Sequence, residues 1–166
     1  MSFDIHEAEA HDLPSILALQ KLSYQSEAEL IGDYTMPPLV QTLDGITDDF
    51  TNGIILKAVD NSGENAIIGS VRVRFVDGNL YIGRLIVDPT RQNQGIGSAL
   101  LLAAEVLYPN ARYELFTGSI STKNLYLYRK HGYVEFKREP LNSNADIVFL
   151  EKTASFFDKG GTYALR

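Results

Sequence analysis

The sequence of 166 residues contains no cysteine. That absence excludes disulfide bonds, thiolate metal sites, iron–sulfur clusters and a cysteine nucleophile. Long hydrophobic runs are also missing, because no apolar stretch approaches the roughly 18 residues of a membrane-spanning helix. The first residues lack the basic start and the apolar core of a signal peptide. These absences favour a cytoplasmic enzyme or binding protein without a membrane partner.

Positive charge is scarce as well. Lysine and arginine number 15 against 21 aspartates and glutamates, which gives a formal net charge of −6. A protein that binds a phosphate backbone usually has the opposite sign, so nucleic acid is not an expected partner. The three histidines, His6, His11 and His131, lack the spacing of metal ligands, so no metal site is expected.

The hydrophobic pattern, by contrast, is rich and changes its period along the chain. Alternating or short continuous apolar runs predict strands at residues 2–8, 54–59, 66–76, 80–87, 112–117, 133–137 and 147–151. Helical spacing predicts a helix capped by Asp12, a short helix within 39–50, and helices over 97–108 and 124–131. The helix over 97–108 has few polar positions, which predicts that it is well buried.

The connections between these elements predict the sheet. Residues 77–79 have the composition of a hairpin turn, which indicates an antiparallel meander of the middle strands. The strand–helix–strand run from residue 80 to 117 is a crossover and predicts one parallel pair. We expect an α+β (mixed α/β) domain with a central, mostly antiparallel twisted sheet of about six to seven strands and helices on both faces. Arg72 and Arg74 alternate with apolar residues and are expected to face solvent.

One polar loop between a predicted strand and a predicted helix indicates an anion site. In LIVDPTRQNQGIGSALL, starting at Leu85, two glycines separated by one residue precede the helix. Glycine lets a ligand approach the backbone closely, and the free N–H groups at a helix start favour phosphate. The lysine of a Walker loop is missing, and Leu100 stands where a dinucleotide fingerprint needs a small residue.

This loop resembles a known family. The pattern Gln92-x-x-Gly95-x-Gly97 is similar to the pyrophosphate loop of the GNAT N-acetyltransferases, which bind acetyl-CoA. Residues 121–133, STKNLYLYRKHGY, resemble the late helix of the same family, with Tyr128 at the position of its general acid. Many members carry asparagine where this chain has Ser121, and Asn124 is the residue that we assign to the CoA arm. The resemblance covers residues 54 to about 151.

The resemblance implies a domain plan and a mode of cofactor binding. Residues 1–152 would form one N-acetyltransferase domain, with 1–53 as the variable substrate-side region, 54–152 as the acetyl-CoA-binding core and 153–166 as a tail. The parallel strands 80–87 and 112–117 would splay apart and leave backbone groups free for the ligand. The implied cofactor-binding residues are Leu85, Ile86, Val87, Gln92, Asn93, Gln94, Gly95, Ile96, Gly97, Ser98, Asn124 and Tyr128.

The implied chemistry is direct acetyl transfer to a primary amine in a ternary complex, since the chain has no cysteine to carry the acetyl group. The Leu85 N–H would polarise the thioester carbonyl, and Tyr128 would protonate the departing thiolate. The acceptor would be a small molecule or a protein. Five residues are candidates for the substrate side of the site, and the general base is expected among them. They are Glu27, Glu29, Asp33, Tyr34 and Tyr81. The acidic chain mildly favours a cationic acceptor through electrostatic steering.

Simpler interpretations remain open at this point. Tyr128 could be a packed aromatic residue, Asn124 a helix cap, and Glu27 and Glu29 solvated helix charges. The whole chain could be a non-catalytic domain of the same fold that binds or senses acyl-CoA, or a nucleotide-binding regulatory module. Phe156 and Phe157 in the tail could form a homodimer contact or pack on their own domain.

Overall fold

Seven strands form one sheet in the computed structural model, which describes residues 2–153, 155–157 and 163–165. In chain order they are β1 (Phe3–Glu7), β2 (Ile54–Asp60), β3 (Ile67–Val76), β4 (Asn79–Val87), β5 (Arg112–Gly118), β6 (Val134–Pro140) and β7 (Asp146–Thr153). The spatial order is β1-β2-β3-β4-β5-β7-β6. Only β4 and β5 pair in parallel, and every other neighbouring pair in this sheet is antiparallel. The predicted mixed sheet is confirmed.

Six helices surround this sheet. They are α1 (Leu13–Ser23), α2 (Gln25–Ile31), α3 (Pro37–Val40), α4 (Leu43–Thr51), α5 (Ile96–Leu107) and α6 (Thr122–Lys130). Two further strands, β8 (Ser155–Phe157) and β9 (Tyr163–Leu165), pair with each other. The side chains of Phe156 and Phe157 lie outside the described residues. None of the described helices combines the length and apolar character of a membrane crossing.

Two apolar cores lie on opposite faces of the sheet, as alternation along β2 shows. Ile55 belongs to the core with Leu13, Ile16 and Ile46 of α1 and α4. Leu56, the next residue, belongs to the core that includes residues of α5 and α6. Because successive strand side chains point to opposite faces, one strand contributes side chains to both cores. Helices on both faces of the sheet are thereby confirmed.

The parallel pair opens after a short stretch of contact. Its register joins Asn79 to Arg112 and continues only as far as Tyr81 and Glu114. Beyond that point β4 stays paired with β3, but its register shifts at a bulge. Arg84 lies in this bulge with a positive φ of 51°, a strained conformation for a side-chain-bearing residue. The strand edge from residue 82 onward is therefore released from β5, as the splayed pair predicts.

Two local expectations were wrong, and a third holds only in part. Arg72 is only 8% exposed, since its guanidinium bonds Gln20, Gln41 and Asp49 from the helices that cover this face. In the helix over 97–108, Leu102 and Val106 are 46% and 74% exposed, because the sheet covers only one side of α5. Asp12 does stand at the N-cap position of α1, but its carboxylate makes no capping hydrogen bond to that helix. It accepts a hydrogen bond from the Glu9 N–H and forms an ion pair with Lys57.

Candidate active site

A cavity of about 660 Å³ lies where the two resembling segments meet. Its walls come from the end of β4, the loop before α5, the first turn of α5, the start of α6, and the helices α1 and α2. Most of the cofactor residues expected from the sequence line it. They are Leu85, Ile86, Val87, Gln92, Asn93, Gly95, Ile96, Gly97, Ser98 and Asn124. Gln94 and Tyr128 are not part of this lining.

The loop before α5 has the backbone geometry of an anion cradle. Asn93 and Gly95 both adopt positive φ, at 61° and 80°. The first intrahelical bond runs from the Ala99 N–H to the Gly95 carbonyl at 3.0 Å, so the preceding N–H groups have no acceptor within the helix. These donors and the helix dipole favour a phosphate at the cavity wall.

Side chains around this loop fit a polyphosphate ligand as well. Arg91 pairs with Asp60 at 2.8 Å, yet its second terminal nitrogen is buried and has no partner in the described part of the chain. Lys123 and Lys130 add positive charge to the cavity lining. A Cβ on Gly97 would reach the Val87 side chain at 3.7 Å, so glycine there keeps the backbone open without being required by protein packing.

Side-chain bonds hold the loop against β4. The Gln92 amide donates to the Val87 carbonyl at 3.2 Å, and the Ser23 hydroxyl donates to the same oxygen at 3.3 Å. Lys123 donates to the amide oxygen of Gln92 at 2.7 Å. The Val87 carbonyl is thus already bonded, which leaves the Leu85 region as the free edge of β4 beside the cavity.

Tyr128 lies in the wall behind the cavity rather than on its surface. Its ring is buried and lies 6.1 Å from that of Tyr133. Burial raises the pKa of the Tyr128 phenol, and the nearby Tyr24 and Glu27 raise it further. The phenol therefore stays protonated at neutral pH, as a proton donor must.

A family model for the acetyltransferase (GNAT) domain matches residues 51–135, about half of the chain. The chain belongs to the GNAT family. The expected enzyme class, an N-acetyltransferase with acetyl-CoA as its cofactor, is confirmed at the level of the family. No curated protein shows significant sequence similarity to this chain.

Solved structures show the same fold. The PaiA N-acetyltransferase of Thermoplasma acidophilum, in complex with coenzyme A, is 18% identical with a TM-score of 0.72, over 92% of this chain and 100% of that one. The ribosomal-protein-S18-alanine N-acetyltransferase of Escherichia coli is 17% identical with a TM-score of 0.74, over 95% of this chain and 97% of that one. At such low identity these likenesses establish the fold.

Of the five substrate-side candidates, Glu27 is the one that lies at the GNAT cavity. It lines the cavity, and its carboxylate accepts a hydrogen bond from the Ser121 hydroxyl. Burial raises the pKa of the Glu27 carboxyl, whereas the bond from Ser121 lowers it, and burial dominates. The simple interpretation of Glu27 as a solvated helix charge is therefore wrong.

The other substrate-side candidates lie outside the cavity lining. Glu29 and Tyr34 are exposed, and Asp33 bonds the backbone and hydroxyl of Thr35, which hold the pKa of its carboxyl below the usual value. Tyr81 stands at the last paired position of β4 and β5, at the mouth of the split. Their roles stay predictions.

Asn124 faces the cavity from the first turn of α6. Its amide donates to the Thr117 hydroxyl at 3.2 Å. The helix begins at Thr122 with Ser121 at its cap position, so the interpretation of Asn124 as a helix cap is wrong. Its role toward the CoA arm stays a prediction.

Sequence reasoning missed two lysines that the fold brings to this site. Lys123 and Lys130 are seven residues apart on α6, a spacing that puts both on one helix face and was available as a signal. Tyr24 lines the cavity from the junction of α1 and α2. Its phenol has a pKa raised to about 12 by burial and by Glu27. The sequence offers Tyr24 and Tyr34 as aromatic residues that could shape an acceptor pocket, and of the two Tyr24 lines this cavity.

Proposed function

We propose that this GNAT domain transfers an acetyl group directly from acetyl-CoA to a primary amine of a small molecule. The observation that carries the proposal is the continuity of one cavity. Its lining runs from the glycine loop at α5, past the free edge of β4, to Glu27 and Tyr24. Cofactor and acceptor residues therefore border the same space, as direct transfer requires.

The cofactor side is assigned to the backbone of residues 92–98, which would hold the pyrophosphate, with Arg91 and Lys123 supplying positive charge. Leu85, Ile86 and Asn124 would contact the pantetheine arm. Acetyl-CoA supplies the activated acetyl group as a thioester. The buried unpartnered nitrogen of Arg91 and the free N–H groups of α5 support this assignment.

Two groups would act on the bond that breaks. The Leu85 N–H would donate to the carbonyl oxygen and stabilise the negative charge that develops there. The Tyr128 hydroxyl would protonate the sulfur as it leaves. The Tyr128 phenol is protonated at neutral pH, and its electrostatic interaction with Tyr24 and Glu27, which both line the cavity, supports the assignment.

Glu27 would accept the proton that the acceptor amine loses. Burial raises the pKa of the Glu27 carboxyl, which strengthens it as a base near neutral pH. After transfer, one proton is on Glu27 and one has left Tyr128. Return of the proton from Glu27 to Tyr128 would restore both groups.

The position of α2 supports the proposed division of the chain. Residues 1–53 supply Glu27 and Tyr24 to the cavity, whereas the glycine loop and α6 belong to 54–152. The substrate-side and cofactor-binding regions thus meet at this site. The cytoplasmic location and a homodimer remain predictions.

The test is a CoA-release assay with a panel of primary amines that includes amino acids, amino acid amides, polyamines and a lysine-containing peptide. We expect release that depends on one acceptor class and forms the N-acetylated product, detected by mass spectrometry. Stabilisation by acetyl-CoA without release on any amine would favour the alternative, a domain of the same fold that binds acyl-CoA without catalysis.

A further inference from the structure

Two arginines meet on the sheet face that is covered by α1 and α4. Arg72 on β3 pairs in register with Gly83 on β4, and Arg84 follows Gly83 directly in the bulge. Paired residues of neighbouring strands share one face. Arg72 points to α1 and α4, where it bonds Gln20 and Asp49. The bulge thus places a second guanidinium beside a buried one.

The two arginines differ in the hydrogen bonds that their guanidinium groups make. Arg72 bonds Gln20, Gln41 and Asp49, although its Nε atom is buried without a partner. Arg84 has no carboxylate within 4.0 Å and no side-chain hydrogen bond to any residue that the structure describes, and its Nη1 atom is buried. One carboxylate, that of Asp49, thus stands against two positive charges.

Such an arrangement is costly without an anion. A buried guanidinium loses its hydration, and the loss is recovered only by a charged or strongly polar partner. Arg72 and Arg84 also repel each other, which contributes to lowering the pKa of Arg72 after burial, the larger cause. The backbone of Arg84 adds strain, since φ of 51° is rarely adopted by an arginine.

Neither arginine belongs to the cavity lining, but both lie close to residues that do. Arg84 immediately precedes Leu85, which lines the cavity, and Tyr24 lines the same cavity. Both arginines act electrostatically on the Tyr24 phenol, opposing the burial and the Glu27 charge that raise its pKa. A Cβ added at Gly83 would meet no atom within 4 Å, so there is open space at the residue that pairs with Arg72 and precedes Arg84.

We propose that Arg84, with Arg72 behind it, binds a carboxylate of the acceptor, so that the acceptor is a small amino acid. This inference rests on the proposed function, because it names the substrate class for the same site. An amino acid carries its amine one carbon from its carboxylate, so an anion held at Arg84 would keep the amine near Leu85, the next residue of β4. The overall charge of −6 favours cationic acceptors, but Arg84 offers a positive charge without a carboxylate partner among the described residues.

The first experiment compares each amino acid with its own amide in the CoA-release assay. The two differ only in the carboxylate, so the amide tests the anion contact alone. We expect KM for the preferred amino acid to be about 10- to 100-fold lower than KM for its amide, the value of one charge-assisted hydrogen-bonded pair. Equal KM values, or acetylation only of amines without a carboxylate, would overturn the inference and leave the proposed function standing.

Variants assign the effect to Arg84. In Arg84→Gln the KM advantage of the amino acid over its amide should disappear. Arg84→Lys should recover part of it, because a lysine keeps the charge but not the fork geometry. The matched control is Arg74→Gln, an exposed arginine on β3 that precedes no cavity residue. An unchanged preference in Arg84→Gln would contradict the inference.

A binding measurement separates the two proposals. Calorimetry with CoA present should show that the N-acetyl amino acid product binds more tightly than its N-acetyl amide, and that Arg84→Gln abolishes this difference. If CoA binds but the two products bind equally, the carboxylate site is refuted. If acetyl-CoA neither binds nor reacts, the proposed function fails, and the inference that depends on it fails too.

Discussion

The cavity has two walls that are built in different ways. The donor wall consists of the end of β4, the loop 92–98, the start of α5 and the cavity face of α6. The acceptor wall consists of Tyr24 and Glu27 at the α1–α2 junction, with Arg72 and Arg84 behind them. The donor wall presents mostly backbone groups from one stretch of the chain, residues 85–98, to which α6 adds side chains. The acceptor wall presents side chains that are far apart in the sequence.

This difference explains what each wall can specify. Backbone N–H groups at a helix start bind any suitable phosphate, so one short loop serves a cofactor that a whole family shares. Side chains from α1, α2, β3 and β4 can be exchanged one at a time without disturbing that loop. We infer that the donor wall sets the chemistry of the reaction and that the acceptor wall selects the amine.

The largest effect is expected at Tyr128, which lies behind the donor wall and close to Glu27 of the acceptor wall. We expect Tyr128→Phe to lower kcat by at least about 100-fold, the range for loss of a general acid. The Kd for acetyl-CoA should change less than twofold. Stopped-flow turnover and calorimetry measure the two quantities. The control is Tyr108→Phe, on a ring that stacks on Phe75. A normal kcat in Tyr128→Phe would show that the tyrosine only packs.

The next largest effect is expected at Glu27, which belongs to the acceptor wall. Glu27→Gln should lower kcat at pH 7 by about 10- to 100-fold and leave the acetyl-CoA Kd unchanged, since Gln still accepts the hydrogen bond from Ser121. In the wild type, kcat should rise with pH through the raised pKa of Glu27, and the variant should lose this rise. The matched control is Glu29→Gln, on the exposed side of α2. A pH profile that survives in Glu27→Gln would assign the base to another group.

The same carboxyl has a predicted effect on stability. Its folded pKa is raised above the value of 4.5 that a glutamate has in an unfolded chain, so over the pH range between the two values the folded state holds a proton that the unfolded state has already released. The free energy of unfolding therefore falls as the pH rises from that value through the raised pKa. Glu27→Gln removes this loss, so the variant should gain stability relative to the wild type over that window. Urea unfolding at a series of pH values measures the difference.

Gly95 tests the donor wall alone. At φ of 80° a Cβ is strained by about 1–2 kcal/mol. Gly95→Ala should therefore lower the free energy of unfolding by about that amount and weaken acetyl-CoA binding by about tenfold. KM for the acceptor should stay unchanged at saturating acetyl-CoA. The control is Gly63→Ala, in a surface loop where an added Cβ meets no atom within 4 Å. A large change in acceptor KM would break the separation of the walls.

Lys123 should give the smallest effect. Its exposed ammonium donates a hydrogen bond to the Gln92 side chain. Because solvent screens an exposed charge, Lys123→Gln should weaken acetyl-CoA binding by only about two- to fivefold. The salt dependence of that Kd should also decrease, because one cation fewer faces the phosphates. Calorimetry at two salt concentrations checks both. Lys21→Gln on α1 is the control and should leave the Kd as it is.

The two walls also differ in how far the sequence could predict them. The glycine loop and the late helix appear in the sequence as continuous patterns, and the fold brought them together as expected. Arg72 was assigned to solvent, because alternation along one strand cannot reveal that α1 and α4 cover its polar face. The bulge at Arg84 was equally hidden, since a positive φ at arginine has no compositional signature. Side chains that converge from distant segments need the tertiary fold to be seen.

The most direct test of the account is a thermal titration of the wild-type protein with acetyl-CoA and, separately, with ATP. A ligand at a hundredfold excess over its Kd stabilises the folded state by about 2.7 kcal/mol, which for a chain of this size raises Tm by about 5–10 °C. We predict such a rise with acetyl-CoA and none with ATP. No rise with millimolar acetyl-CoA, or an equal rise with ATP, would contradict the assignment of this cavity to acetyl-CoA.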